Sequence, residues 1–268
     1  MEQQTDGLRR RLANRVLWLT IDRPEAGNSF NGEVQRRLVA GLAEASGSPD
    51  IGVVVLTASG SRHFCTGPDL RDPEMAPDPT RAVGDAARRL RDGGQRMVAA
   101  LLDCEKPVLC GLNGTAAGAG ANLVLASDLV VAAEHACLLE LFTRRGLIPD
   151  GGAAYLLSRH LPRNVVKELV FFAEELAAAE AHRLGLVNRV VPGSELGSTL
   201  EEWAARLAAG PTRAFAAAKA LLNRAPDDSR EAAFAFEAVM VEQISATDDV
   251  GEGVAAFLER REPEFRGR

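Results

Sequence analysis

Cysteine is scarce in this chain of 268 residues: there are four, Cys65, Cys104, Cys110 and Cys137. No two share a CxxC spacing and their neighbours are mostly apolar, so they read as small buried hydrophobes, not disulfides or zinc ligands. The four histidines also stand singly, without an HxxxH pair, and offer no pattern for a metal site. No apolar run approaches the roughly 20 residues that a membrane span needs. Met1 to Gly7 is polar and acidic with no apolar segment behind it, which gives no secretory signal and places the expected location in the cytoplasm, away from membranes. Cations are not in excess either: 31 Lys and Arg against 37 Asp and Glu leave a net charge of −6. No stretch gathers them on one face with interleaved aromatics, which argues against nucleic acid as a partner. Four arginines fall between Leu8 and Arg15, a short terminal tract expected to be a solvated end.

What is present is ordinary for a globular protein, with 46% hydrophobic and 25% charged residues. A chain of this size suits one large domain, or a domain with a helical appendage, and can bury roughly three quarters of its unfolded surface without staples. Val16 to Asp22 reads as a strand ended by Arg23-Pro24. Gly32 to Ala45 places Val34, Leu38, Leu42 and Ala45 at a helical period. Gly52 to Ala58 and Pro107 to Leu112 are continuous apolar runs, as expected of strands covered on both faces. Between them, Gly60 to Pro79 is rich in Gly, Pro, Ser and Asp and predicts a long functional loop, and Arg81 to Asp103 a helix.

Asn113-Gly114 turns the chain into a small-residue segment, Thr115 to Ala121, which leads into a helix through Ala126. Leu129 to Ala132 is a strand, Gly146 to Gly152 a loop opening a helix to about Ser158, and Leu186 to Val191 a last short strand. From Gly193 onward only helical patterns occur, broken at Gly210-Pro211 and Ala225-Pro226. Strands alternating with helices, followed by helix alone, predict an α/β fold of parallel units with a helical C-terminal layer.

Five segments stand out in order: IDRPEAGNSFN at 21–31, HFCTGPDL at 63–70, NGTAAGAGANLVLASD at 113–128, GLIPDGG at 146–152 and EGVAAFLERREPEF at 252–265. Together they resemble the signatures of the crotonase (enoyl-CoA hydratase/isomerase) superfamily across nearly the whole chain. The resemblance implies a crotonase-type β/α spiral of repeated ββα turns, with a core over residues 1–193 that binds acyl-CoA and carries the active site. It also implies a helical oligomerisation region over 194–268 that builds a homotrimer or a dimer of trimers. The partner it implies is an acyl-CoA thioester of fatty acid metabolism. Coenzyme A enters as part of the substrate, and no cofactor is permanently bound. The competing dinucleotide-binding reading is poorer, because the Gly118 region lacks the third glycine of GxGxxG and its distant acidic residue.

In such enzymes two backbone N–H groups form an oxyanion hole that stabilises the enolate of the thioester. The resemblance places them at residues 68 and 119. Ala119 can serve; Pro68 has no N–H. The two glutamates with which family hydratases hold water fall on Asn122, which cannot take a proton, and on Phe142. One carboxylate remains at a position that some isomerases of the family use, Asp150. An Asp before Gly-Gly at a helix start is equally a favourable N-cap, and one residue can do both. Glu140, two residues before Phe142, is a further candidate.

By the same resemblance Ala26 and Ser29 hold the adenine, the Pro68, Asp69 and Leu70 loop lines the pantetheine, and Asp69 has a structural role. Phe257 and Arg260 reach the nucleotide of a neighbouring subunit, although Phe257 also fits ordinary amphipathic packing with Val254, Leu258 and Phe265. Asp72, Glu74 and Asp78 read as solvating loop charges. Two functions follow: isomerase-like proton transfer on an enoyl-CoA thioester through Asp150, or a non-catalytic acyl-CoA-binding homologue whose chemistry has decayed.

Overall fold

The computed structural model describes residues 2–5 (backbone only), 7–76, 80 and 82–268; Asp78 and Arg81 lie outside them. Chain order runs β1 (Glu2–Thr5), β2 (Leu8–Ala13), β3 (Val16–Ile21), α1 (Gly32–Gly47), β4 (Val53–Ala58) and β5 (His63–Cys65). There follow α2 (Asp85–Leu90), a π-helical turn (Arg91–Gln95), α3 (Arg96–Asp103), β6 (Val108–Leu112), β7 (Thr115–Ala117) and α4 (Ala119–Leu125). Next come β8 (Leu129–Ala133), β9 (Cys137–Leu139), α5 (Ala153–His160), α6 (Arg163–Phe172), β10 (Glu175–Ala177), α7 (Ala178–Arg183) and β11 (Arg189–Val191). The last are α8 (Leu196–Ala208), α9 (Thr212–Arg224), α10 (Arg230–Ser245) and α11 (Asp248–Glu259).

The strands make a seven-stranded sheet, β1-β2-β3-β4-β6-β8-β11, and a four-stranded sheet, β10-β9-β7-β5. Val53 to Leu56 of β4 are all fully buried because α1 and α8 both pack on that strand, which is why the run shows no alternation. The stripe of α1 that faces the sheet is Val34, Leu38, Leu42 and Ala45. Its start is fixed by the Asn31 side chain, which accepts the Val34 N–H at 2.9 Å. Burying a leucine such as Leu38 or Leu42 contributes about 1.5–3 kcal/mol.

Each ββα unit gives one strand to each sheet before its helix: β4, β5 and the 85–103 helix; β6, β7 and α4; β8, β9 and α5. Because β4, β6 and β8 pair in parallel, and β5, β7 and β9 do the same, each turn repeats the last one strand further along. The C-terminal ends of β5, β7 and β9 therefore lie side by side in the small sheet. Whatever follows Cys65, Ala117 and Leu139 is brought together by topology alone.

The arginine-rich tract is not a solvated end. Residues 8–13 pair antiparallel with β3, from Leu8↔Ile21 to Ala13↔Val16. Asn14 and Arg15, at φ 51° and 62°, make the left-handed two-residue turn that suits a twisted hairpin. The arginines find partners: Arg9 pairs with Asp22 at 2.9 Å, Arg10 with Glu44, and Arg11 stacks over the Trp18 ring at 5.0 Å. The expected 60–79 loop contains β5, and the expected helix to Asp103 begins at Asp85 and is broken by the π-helical turn. All four cysteines are buried free thiols. Among the described residues no helix is long and apolar enough to cross a membrane.

Candidate active site

The small residues that follow the short strands bring main chains into contact. A Cβ on Gly120 would sit 2.1 Å from the Cys65 carbonyl oxygen, and one on Gly67 would sit 3.4 Å from that of Ala117. Only glycine permits the first approach, and at Gly67 it is the backbone at φ 89° that calls for glycine. Gly118, at φ 54°, donates its N–H to Leu139 O at 2.8 Å. A Cβ there would meet the Phe142 ring at 3.6 Å. Residues 67, 118–120 and 142 thus form one junction.

Ala119 opens α4, so its N–H has no carbonyl one turn back to bind. Pro68 lies across this junction, bridged to Phe30, and has no N–H to give. The next amide, of Asp69, is spent on Phe30 O at 2.9 Å.

Asn122 is 1% exposed. Its Nδ2 donates to the Asp150 carbonyl at 2.9 Å, while its Oδ1 is buried without a partner. Asp150 therefore stands against the first turn of α4, one turn from Ala119. The cap reading of Asp150 fails: Gly152 is the N-cap of α5, and no side chain caps that helix. Half-burial pushes the Asp150 carboxyl up from its ordinary value, because desolvation disfavours the charged form. The π-helical turn lies beside the loop, where a Cβ on Gly94 would come 3.6 Å from the Gly151 Cα. Such turns recur at functional sites.

Phe142 occupies the second glutamate position as a buried ring. Glu140 is 4% exposed, and neither carboxyl oxygen has a hydrogen-bond partner in the protein. Burial pushes its carboxyl up to about 8.

The two loops that the resemblance assigns to coenzyme A are joined. Phe30 N donates to Gly67 O at 3.0 Å, and the Arg23 guanidinium bonds Ser29 O at 2.7 Å and Asp69 Oδ2 at 2.9 Å. Burial pushes the Asp69 carboxyl up, but the Arg71 amide and the Arg23 guanidinium outweigh it and hold it below its ordinary value. Asn28, at φ 54° and buried, binds Ser59 O at 2.9 Å and His63 O at 2.7 Å. Arg23 and Asn28 fall within the 21–31 segment but received no role from sequence, since a buried charge is recognised only once its partner is known. Ala26 is half-buried, Ser29 is buried and Leu70 exposed at the rim. Asp72 accepts the Glu74 N–H at 2.7 Å, and Glu74 pairs with Arg36 at 3.0 Å.

Phe257 and Arg260 are not brought to these loops within the chain. Phe257 is 82% exposed, so the packing reading fails for it here, and it borders an apolar cleft with Pro211, Ile244 and Leu258. Arg260 caps α11 at φ 56°. A concavity of about 830 Å³ between α3, α5 and α9 contains none of the candidate site residues. In its lining Lys219 pairs with Asp128 at 2.8 Å and Arg159 with Asp227 at 2.7 Å.

Residues 11–268 match the model of the enoyl-CoA hydratase/isomerase family. The chain is 39% identical over 250 residues to a probable enoyl-CoA hydratase of Rhodobacter capsulatus, covering 93% of this chain and 94% of that one. It is 36% identical over 253 residues to 1,2-epoxyphenylacetyl-CoA isomerase of Escherichia coli, covering 94% and 95%. Among solved structures, enoyl-CoA hydratase/isomerase from Cupriavidus metallidurans superposes with a TM-score of 0.92 at 32% identity, covering 99% and 98%. The fold is therefore that of the crotonases. The chain belongs to the enoyl-CoA hydratase/isomerase family, whose members act on acyl-CoA thioesters.

Proposed function

We propose that the protein carries out isomerase-like proton transfer on an enoyl-CoA thioester, with Asp150 as the base. The observation that carries this reading is the state of Asp150: half-buried, uncapped and unpaired, its main chain fixed one turn from the Ala119 amide. In this reading Asp150 takes a proton from C2 of a 3-enoyl thioester. The C–H pair moves into an enolate whose oxygen faces the Ala119 N–H. Asp150 then returns the proton at C4, leaving the 2-enoyl isomer. Hydration by two glutamates is disfavoured, because neither Asn122 nor Phe142 can take a proton from water. Relatives with isomerase names, such as 1,2-epoxyphenylacetyl-CoA isomerase, stand beside relatives with hydratase names, so the reading rests on the residues of this chain.

On this reading Ala26, Ser29, Pro68, Asp69 and Leu70 line the path of coenzyme A, which arrives with the substrate and is not permanently bound. Residues 1–193 form the catalytic core and 194–268 an oligomerisation region that presents Phe257 and Arg260 to a neighbouring subunit's nucleotide in a homotrimer or dimer of trimers. The support is α10, which buries no residue within the chain, and the exposed Val254, Phe257 and Leu258 on α11.

A panel of 2-enoyl- and 3-enoyl-CoA thioesters, with binding measured apart from turnover, tests the assignment. Asp150→Asn is expected to lower turnover by about 10²–10⁴ with binding retained; undiminished turnover removes Asp150 from the mechanism. The second reading, a non-catalytic acyl-CoA-binding protein, is favoured by the missing amide at Pro68 and by the Phe142 ring. Binding across the panel with no isomerisation or hydration by the wild type would establish it.

A further inference from the structure

Asn122 does something that a water-binding glutamate cannot. Its Nδ2 donates to the backbone carbonyl of Asp150 at 2.9 Å, and that carbonyl also accepts the Ala153 N–H at 3.1 Å. A Cβ on Gly151 would lie 3.0 Å from the same nitrogen. Between these bonds the chain passes through Gly151 and Gly152 at φ 62° and 104°, residues with no side chain to hold the turn, so the Asp150 carbonyl is tied by the Ala153 N–H and by the Asn122 carboxamide. An ionised carboxylate at position 122 has no N–H or O–H to offer a carbonyl, whereas a carboxamide does. The other end of the amide, Oδ1, is fully buried and meets no protein donor. A buried orphan acceptor carries a desolvation cost with no structural return.

We propose that Asn122 is a positioning residue: its carboxamide latches the Asp150 main chain to the first turn of α4 and so sets where the Asp150 carboxylate stands relative to the Ala119 amide. The inference rests on the reading of Asp150 as the base. A misplacement of about 1 Å in such a group can cost on the order of 10²-fold in rate.

The test is Asn122→Leu, which keeps the approximate shape, removes the donor and also removes the orphan oxygen. Three results are expected. Turnover falls about 10–100-fold with KM within about threefold. The acid limb of the kcat/KM pH profile is displaced, because the carboxylate occupies a different environment. Hydrogen–deuterium exchange of the 146–153 segment rises about tenfold while the melting temperature changes by only a few degrees. The exchange measurement needs no substrate and stands by itself, and unchanged exchange overturns the latch. Wild-type kcat and acid limb in Asn122→Leu, alongside an inactive Asp150→Asn, also overturn it while sparing the assignment of Asp150. Full turnover in Asp150→Asn removes that assignment instead. Should Asn122→Leu fail to fold, Asn122→Ala is read by the same three measurements.

Discussion

At position 68 a single residue type alters which main-chain donors the junction can offer. Proline there deletes an amide at the junction between residues 67 and 119, and the amide of Asp69 is held by Phe30. Removing one oxyanion donor typically costs about 10²–10³ in rate, so Pro68→Ala is expected to raise turnover, by up to that factor. Steady-state kinetics on the best substrate of the panel checks it; a rate that does not rise means the enolate oxygen sits elsewhere. Glu140 gives a second prediction of a different kind. Its folded value of about 8 lies above the ordinary 4.5, so the folded chain keeps a proton that the unfolded chain releases. The stability linked to this group is complete below pH 4.5 and is lost as pH rises toward 8. The loss is on the order of a few kcal/mol. Denaturant midpoints at pH 5 and pH 8 should diverge in the wild type and converge in Glu140→Gln; equal divergence in both would clear Glu140 of the effect. Sequence could place Glu140 near Phe142, but not its burial without a partner, because that depends on what covers the residue in three dimensions.

At the scale of elements, legibility followed length and pattern. The β4 and β6 runs and the α1 stripe were readable because burial on both faces, or on one helical face, leaves a long periodic record. Four strands of the small sheet span three residues each, too short for any period, and β7 is written in Thr and Ala. The β2–β3 hairpin was missed because its turn, Asn14-Arg15, lacks the glycine that usually announces such turns, and because arginine outward on a half-buried strand resembles a solvated tail. The motif segments contain the loops that meet in the fold: 29–30 adjoins 67–69, and Asn122 adjoins residue 150. What they could not supply were the links that hold those loops, namely Arg23 to Ser29 and Asp69, and Asn122 to the Asp150 carbonyl. These are side-chain to main-chain bonds, and main-chain acceptors leave no trace in a sequence.

For the whole molecule, α10 and the outer face of α11 are the part that one chain leaves uncovered, whereas α8 packs on the large sheet. α10 buries none of its residues, and Phe234, Val239, Val241, Phe257 and Leu258 are exposed. If subunits cover this surface, stability follows protein concentration by mass action. The melting temperature should then fall on serial dilution, in step with a change of mass in sedimentation; a constant value with a monomeric mass would refute the proposed trimer. The junction beneath the site constrains the molecule differently. A methyl group on Gly120 would collide with the Cys65 carbonyl and force successive turns of the spiral apart, so closure of the scaffold and the shape of the candidate site are set by one and the same contact. On the proposed assignment, new reactivity on this scaffold has to come from exchanging the groups beside that seam, at 68, 122, 142 and 150, while the seam itself stays as it is.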